Sequence, residues 1–222
     1  MGPTLDFGVV LEHLPDLLWG VVGTFELALG GIVLAMAIGL AGVVLRTSRV
    51  RVVRIGVMAF VEAIRNTPFL VQIFFFYFGL PKLGILLSPM ATAILALGIN
   101  GGAYAIEIIR GGVQSIARGQ WEAGLALGLH RLLVFRLVII KPALRAIYPA
   151  LTGQFILLTL TTSICTSVSA EELTYVAQRI DSDTFRSFEV YFTATLIYLV
   201  VSWVVMSAFA LIARRYFSYP VR

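Results

Sequence analysis

The 222-residue chain is 59% hydrophobic and only 13% charged, with a formal net charge of +5. Soluble domains carry roughly 45–50% apolar and about 25% charged residues, so this composition excludes an ordinary soluble enzyme and fits one membrane domain. The basic excess does not mark a nucleic-acid binder, because Lys and Arg stand at the ends of apolar runs and not among polar, aromatic-interleaved segments.

The runs predict an all-α membrane protein with five transmembrane helices in a single domain, residues 1–222, each near the ~20 residues that a bilayer core requires. The first twenty residues hold Asp6, Glu12 and Asp16 and no basic stretch, so no cleavable signal peptide is expected. A first, glycine-rich span covers about 17–45, a second about 55–80 and a third about 89–110, the last diluted by Asn100, Gly101, Gly102 and Tyr104. A polar insert, 111–142, separates these from a fourth span at about 143–168 and a fifth at about 190–212. Cys165 falls in an apolar run, and His13 and His130 have no second histidine at ligand spacing, so neither a disulfide framework nor a metal site is expected.

Orientation follows from the basic residues. Arg46, Arg49, Arg51 and Arg54 follow the first span, Arg110, Arg118, Arg131, Arg136, Lys141 and Arg145 lie in or beside the insert, and Arg214, Arg215 and Arg222 end the chain. Thirteen of the 17 basic residues thus share one side, against Lys82, Arg179 and Arg186 on the other and Arg65 within a span. Asp6, Glu12, Asp16, Glu171, Glu172, Asp181, Asp183 and Glu189 fall opposite. The positive-inside rule puts the N-terminus outside and both the C-terminus and the 111–142 insert in the cytoplasm.

Within the insert, Trp121, Leu125, Leu129 and Leu132 recur at helical spacing and form one apolar stripe. Glu122 is placed in the first turn, where a carboxylate opposes the helix dipole. Gly128 marks a break, and Pro142 restarts the chain at the head of the fourth span. Such a helix either lies on lipid headgroups or docks on a soluble partner. The small Ala123-Gly124 pair and Ala126 favour docking, since small residues permit close backbone approach.

The register of Glu122-Ala123-Gly124, Gly128 six residues after the acid and a proline beyond it resembles the EAA loop of ATP-binding-cassette importer permeases. Nearly the whole chain is similar to the polar amino acid branch of that family, the histidine, glutamine, glutamate and arginine type. The segments that carry this are Glu62-Ala-Ile-Arg65-Asn-Thr-Pro68-Phe-Leu-Val-Gln72, Tyr77-Phe-Gly-Leu-Pro81, Asn100-Gly-Gly-Ala-Tyr104-Ala-Ile-Glu107-Ile-Ile-Arg110, Gly119-Gln-Trp121-Glu122 and Thr184-Phe-Arg-Ser-Phe-Glu189-Val-Tyr191. The resemblance implies a type I importer permease fold in a bacterial inner membrane. It also implies a coupling helix at Trp121, Glu122, Ala123, Gly124 and Gly128, which docks on a cytoplasmic ATPase. The implied partners are an ATPase dimer carrying ATP and Mg, a second permease subunit (identical or paralogous) and an extracytoplasmic amino-acid-binding protein.

Three departures stand out. Lys141 occupies the usual proline position with Pro142 one residue later, and Gly124 replaces the second alanine, a mild change. The Lys-Asp/Asn-Thr-Ser-Leu pattern of the family's fourth span reads Leu160-Thr161-Thr162-Ser163-Ile164, without its intramembrane charges.

Intramembrane charge is costly, ~2.5–3.5 kcal/mol at mid-bilayer, so it must be paired or face water. Glu62 with Arg65, and Glu107 with Arg110, are each three apart and share a helix face where they can neutralise each other. They either line the translocation path or clamp helices near the cytoplasmic ends. The fourth span carries a stripe of neutral polar groups, Gln154, Thr161 and Thr162 with Ser163 beside them, suited to a weak site for a zwitterion; Asn100, Tyr104, Gln72 and Thr67 beside Pro68 are expected to face the same cavity. Part of that polarity serves only to glue helices.

No Gly-x-x-x-x-Gly-Lys-Ser/Thr occurs, and no nucleophile triad or acid pair lies in an aqueous segment. The chain is therefore expected to be no enzyme, to hold no cofactor and to draw energy from a partner. Two other readings are an ion-coupled secondary transporter using Glu62 or Glu107, which needs an internal repeat that is not found, and a membrane scaffold whose polar residues only pack helices.

Overall fold

A computed structural model describes residues 5–216. A short helix α1, Gly8–Glu12, leads into α2, Leu14–Arg46, which starts with a proline where the first turn has no use for an N–H. At 33 residues α2 is about 50 Å long, well beyond a ~30 Å hydrocarbon core. The expected second span is not one helix. Helix α3, Arg51–Arg65, and α4, Phe69–Gly79, meet at an angle of 109° across Asn66-Thr67-Pro68. Pro68 supplies no N–H and drives Thr67 out of the helical region, which breaks the rod there.

A 3₁₀ turn at Leu80–Leu83 leads to α5, Pro89–Gln114, capped by the Ser88 hydroxyl, which accepts from the Ala91 N–H at 3.2 Å. Helix α5 runs beyond residue 110 and is the central helix of the bundle. The insert forms α6, Arg118–Ala126. After it, α7 (Arg131–Val134), a π turn (Phe135–Ile139), α8 (Ile140–Thr161) and a 3₁₀ stretch (Thr162–Val168) make one nearly unbroken helical segment. Pro142 therefore does not restart the chain: it sits inside α8, and the turn just before it, where its ring crowds the carbonyl of Val138, is the widened one. Helices α9, Leu173–Thr184, and α10, Ser187–Tyr216, complete the chain.

Among the described residues three helices, Leu14–Arg46, Pro89–Gln114 and Ser187–Tyr216, are long and apolar enough to cross a membrane, and four if the bent α3–α4 pair counts as one span. The fourth expected span, on α8, is not among them. Arg222, counted with the cytoplasmic residues, lies outside the described residues.

The bundle closes on a seam between α2 and α5. A β-carbon on Gly39 would lie 2.7 Å from that of Ala105, and one on Gly101 would lie 2.9 Å from that of Ala35 and 2.5 Å from Leu158. Gly98 accepts the side chain of Leu34 in the same way. In lipid, where apolar burial drives helices together little, such close contact supplies the attraction. The glycines expected to dilute the third span are thus what seats it. Around the seam Leu27, Ile73, Leu97, Leu158 and Cys165 form the central core. Leu17, Leu173, Ile180 and Val190 close one end, and Ile109, Ala143 and Ile147 the other.

Gly101→Val should therefore lower stability by about 1–3 kcal/mol. Gly153→Ala, where no atom lies within 4 Å of the new methyl, should leave it unchanged or raise it by about 0.5–1 kcal/mol. Thermal unfolding in detergent distinguishes these, and equal midpoints for the two variants would refute the seam.

Candidate functional site

Helix α6 stands at the surface on a narrow footing. Its inner face is Gly124, which is buried; a methyl there would lie 2.8 and 2.9 Å from the two Val134 methyls. Glycine in place of the second alanine is therefore not a mild change, because Val134 fills the space the methyl would need. Trp121 stacks on Phe135 of the π turn, ring centroids 6.3 Å apart at 27°. Gly128 ends the helix at φ +78°, where an L side chain is strained. The Gly128 N–H donates to the Leu125 carbonyl (2.9 Å) and the Leu129 N–H to the Gly124 carbonyl (3.2 Å), which satisfies the last turn. Glu122, Ala123 and Leu127 face outward.

The structure corrects two details here. Because α6 begins at Arg118, Glu122 lies in its second turn, not its first, and the dipole argument does not hold for it. Leu129 and Leu132 lie beyond the Gly128 break, so the expected stripe of one tryptophan and three leucines is divided between α6 and the segment that leads into α7.

The second cluster lies at the α3–α4 bend. Gln72 is 5% exposed; its Nε2 donates to the carbonyls of Ile64 (2.7 Å) and Thr67 (3.0 Å) and approaches the Thr67 hydroxyl at 2.8 Å. Its Oε1 accepts from Asn100 Nδ2 on α5 at 3.0 Å. The amide thus occupies carbonyls that the break leaves unpaired and ties the bend to the central helix. Arg65 places its guanidinium 5.2 Å from the centroid of the Tyr104 ring, at cation–π distance. Thr67, Gln72 and Asn100 are thus joined by hydrogen bonds, and Tyr104, one turn along α5 from Asn100, carries Arg65 on its ring.

Thr161, Thr162 and Ser163 behave differently. Each hydroxyl donates back into its own helix, to the carbonyls of Leu157 (2.7 Å), Thr159 (2.7 Å) and Leu160 (2.8 Å). Thr162 is fully buried whereas Thr161, Ser163 and Gln154 are half-buried, so these four do not form the single open stripe that their spacing implied.

Of the expected ion pairs, one forms. Arg110 holds Glu107 through Nε (3.2 Å) and a terminal nitrogen (2.5 Å), and Arg46, the last residue of α2 and not a loop residue, grips the same carboxylate. Among the described residues no ion pair joins Glu62 to Arg65; both are exposed.

Sequence reasoning missed Glu172. It is grouped above with the acids opposite the basic side, and it is fully buried. Its carboxylate accepts from the Tyr175 N–H (3.0 Å), Thr166 (3.1 Å), Thr24 (3.4 Å) and the Tyr198 hydroxyl, which joins α2, the 3₁₀ stretch, α9 and α10. Its place just before α9, three residues ahead of the Tyr175 N–H, was the available signal for a helix cap. Glu189 is also buried and accepts from the Asp6 N–H at 2.9 Å.

A helical membrane domain with a glycine-seated core, a broken span and a short surface helix braced on the foot of a long one has the architecture of a transport-system permease. Residues 17–218 match the model of the binding-protein-dependent transport system inner membrane component, and the chain belongs to that family. It is 35% identical over 211 residues to the nopaline transport system permease protein of Agrobacterium fabrum, covering 90% of this chain and 88% of that one. It is 34% identical over 212 residues to the glutamine transport system permease protein of Escherichia coli, covering 95% and 97%. A chain from the crystal structure of an amino acid ABC transporter with histidines superposes at a TM-score of 0.90 with 32% identity, covering 96% of this chain and 100% of that one. The fold is that of a type I ABC permease.

Two expectations follow from the buried groups. Gln72→Leu strands the Thr67 carbonyl, leaves Ile64 only the Thr67 hydroxyl, and should cost about 1–3 kcal/mol in detergent unfolding. Burial lifts the Glu172 carboxyl above its ordinary 4.5, so the folded protein keeps a proton that the unfolded chain has released. The stability this group contributes is complete below 4.5 and is lost as pH rises through the raised folded value. The unfolding midpoint should fall as pH rises through that window, and Glu172→Gln should flatten the profile; an unchanged profile would contradict the assignment.

Proposed function

We propose that the chain is the permease subunit of an ATP-driven importer for polar amino acids in a bacterial inner membrane. Two such subunits, identical or paralogous, pair in the membrane on a cytoplasmic ATPase dimer that carries ATP and Mg. An extracytoplasmic binding protein delivers the amino acid. The chain forms one domain of five spans with its N-terminus outside and its C-terminus in the cytoplasm, the bent α3–α4 pair and α8 each contributing a span. The distribution of basic residues supports this orientation, and the relatives named for glutamine and nopaline transport support the substrate class.

The observation that carries this reading is the mounting of α6. Gly124 on Val134 and Trp121 on Phe135 fix it to the start of a helical segment that runs from Arg131 to Val168. A push on Trp121, Glu122, Ala123, Gly124 and Gly128 from below is passed into α8, which carries Gln154 and Thr161, and on into the 3₁₀ stretch, which carries Thr162 and Ser163. The Thr67–Gln72–Asn100–Tyr104 cluster forms the other wall of the path. Tilting of the long segment against the α2–α5 core then opens that path to one side and the other in turn. Glu107 with its two arginines acts as a clamp between helices; Arg65, stacked on Tyr104, and the exposed Glu62 are the charges within reach of the substrate.

Glu122→Lys reverses the charge on the outward face of α6, and Gly128→Trp forces a side chain into the left-handed turn. Each should lower uptake by about 5- to 150-fold, the range of ordinary coupling free energies, while ATP hydrolysis continues and membrane insertion is intact. Uptake and ATPase rates measured in proteoliposomes check this, and normal uptake in both variants would overturn the coupling role.

A further inference from the structure

A cleft of about 500 Å³ opens where α2 and α5 end, and no role described above uses it. Its polar side is Arg46, Thr47 and Arg110; its apolar side is Val44, Val113 and the ring of Phe135. We propose that it binds an anionic phospholipid, with the headgroup phosphate against Arg46 and Arg110 and the first acyl methylenes along the valines and Phe135.

Charge is the first argument. Glu107 neutralises one of the two guanidiniums that grip it, so the cluster keeps one positive charge. Arg110 gives Nε and one terminal nitrogen to Glu107 and the other to Gln114 at 2.6 Å. Arg46 gives one terminal nitrogen to Glu107; among the described residues its Nε and second terminal nitrogen make no other hydrogen bond. Those donors are left for a ligand oxygen, and a guanidinium fork suits a phosphate. The exposed Arg49, Arg51 and Arg54 follow within eight residues and add positive potential, which outweighs the weakly negative ends of the two helices.

Depth is the second argument. Arg46 ends the apolar run of α2, and the cleft continues from that charge onto Val44, which is 69% exposed. A cleft that is polar at one end and apolar at the other, at the level where a span leaves the bilayer, matches a lipid better than a free anion. The inference rests on the reading of this end as cytoplasmic, the leaflet side on which anionic lipids attract basic clusters. Phe135 is shared with the Trp121 stack, so an occupied cleft holds up the footing of α6.

The test uses the full-length protein purified with whatever subunits accompany it, stripped of lipid and titrated with phosphatidylglycerol or phosphatidylcholine of identical chains, with retention read by native mass spectrometry. Severalfold preferential retention of phosphatidylglycerol is expected, and Val44→Trp, which fills the mouth from an exposed position, should abolish the preference. Gln114→Trp blocks the opposite exposed rim and replaces it if Val44→Trp does not yield a monodisperse complex. Equal retention of the two lipids, or an undiminished preference in the blocked variant, would overturn the proposal. Displacement of the lipid by millimolar inorganic phosphate would overturn it too, by showing that the cleft takes a free anion. Retention does not depend on transport, so a failed permease assignment would appear in the uptake assay and leave this result standing.

Discussion

Backbone contact between α2 and α5 is the constraint on which the remaining geometry depends. Ala35, Gly39, Gly98, Gly101 and Ala105 carry so little side chain that Leu34 of α2 and Leu158 of α8 lie directly on α5. Lipid tails compete with apolar side chains on nearly equal terms, so the helices hold by fit and not by escape from water. Once α5 is seated, its own polar residues acquire fixed addresses. Asn100 meets Gln72 at the broken span, Tyr104 lies under Arg65, and Glu107 reaches the end of α2.

The second organising feature is the nearly unbroken helical run from Arg131 to Val168. A widened turn before Pro142 lets the helix absorb a proline without ending. Val134 and Phe135, which hold the surface helix, lie at one end of this run, and Thr161, Thr162 and Ser163 at the other. The footing of the surface helix and these three hydroxyls are thus joined through one nearly continuous helical segment. The bend at Asn66-Thr67-Pro68 lies outside that connection, locked by one amide to the core.

Much of this was legible before any coordinates. Long apolar runs gave α2, α5 and α10, because hydropathy over twenty residues leaves few alternatives. Gly128 read as a stop, and Glu107 with Arg110 read as a pair, since both follow from local spacing. What failed needed tertiary knowledge. The 109° break at Pro68 is invisible to hydropathy, which averages across it. Gly101 and Gly102 looked like dilution because their partner residues are some sixty positions away. Spacing permitted a Glu62–Arg65 pair but did not require one. Glu172 looked like a loop acid because its burial comes from three other elements.

The Glu172 knot also bears on how the protein is made. Thr24, on α2, bonds to a carboxylate 148 residues later in the chain. Until Glu172 has been added to the growing chain, that hydroxyl has only its own Gly20 carbonyl as a partner in this knot. A product truncated before Glu172 would lack the tie altogether, leaving α2 without its bond to the carboxyl-terminal part of the fold.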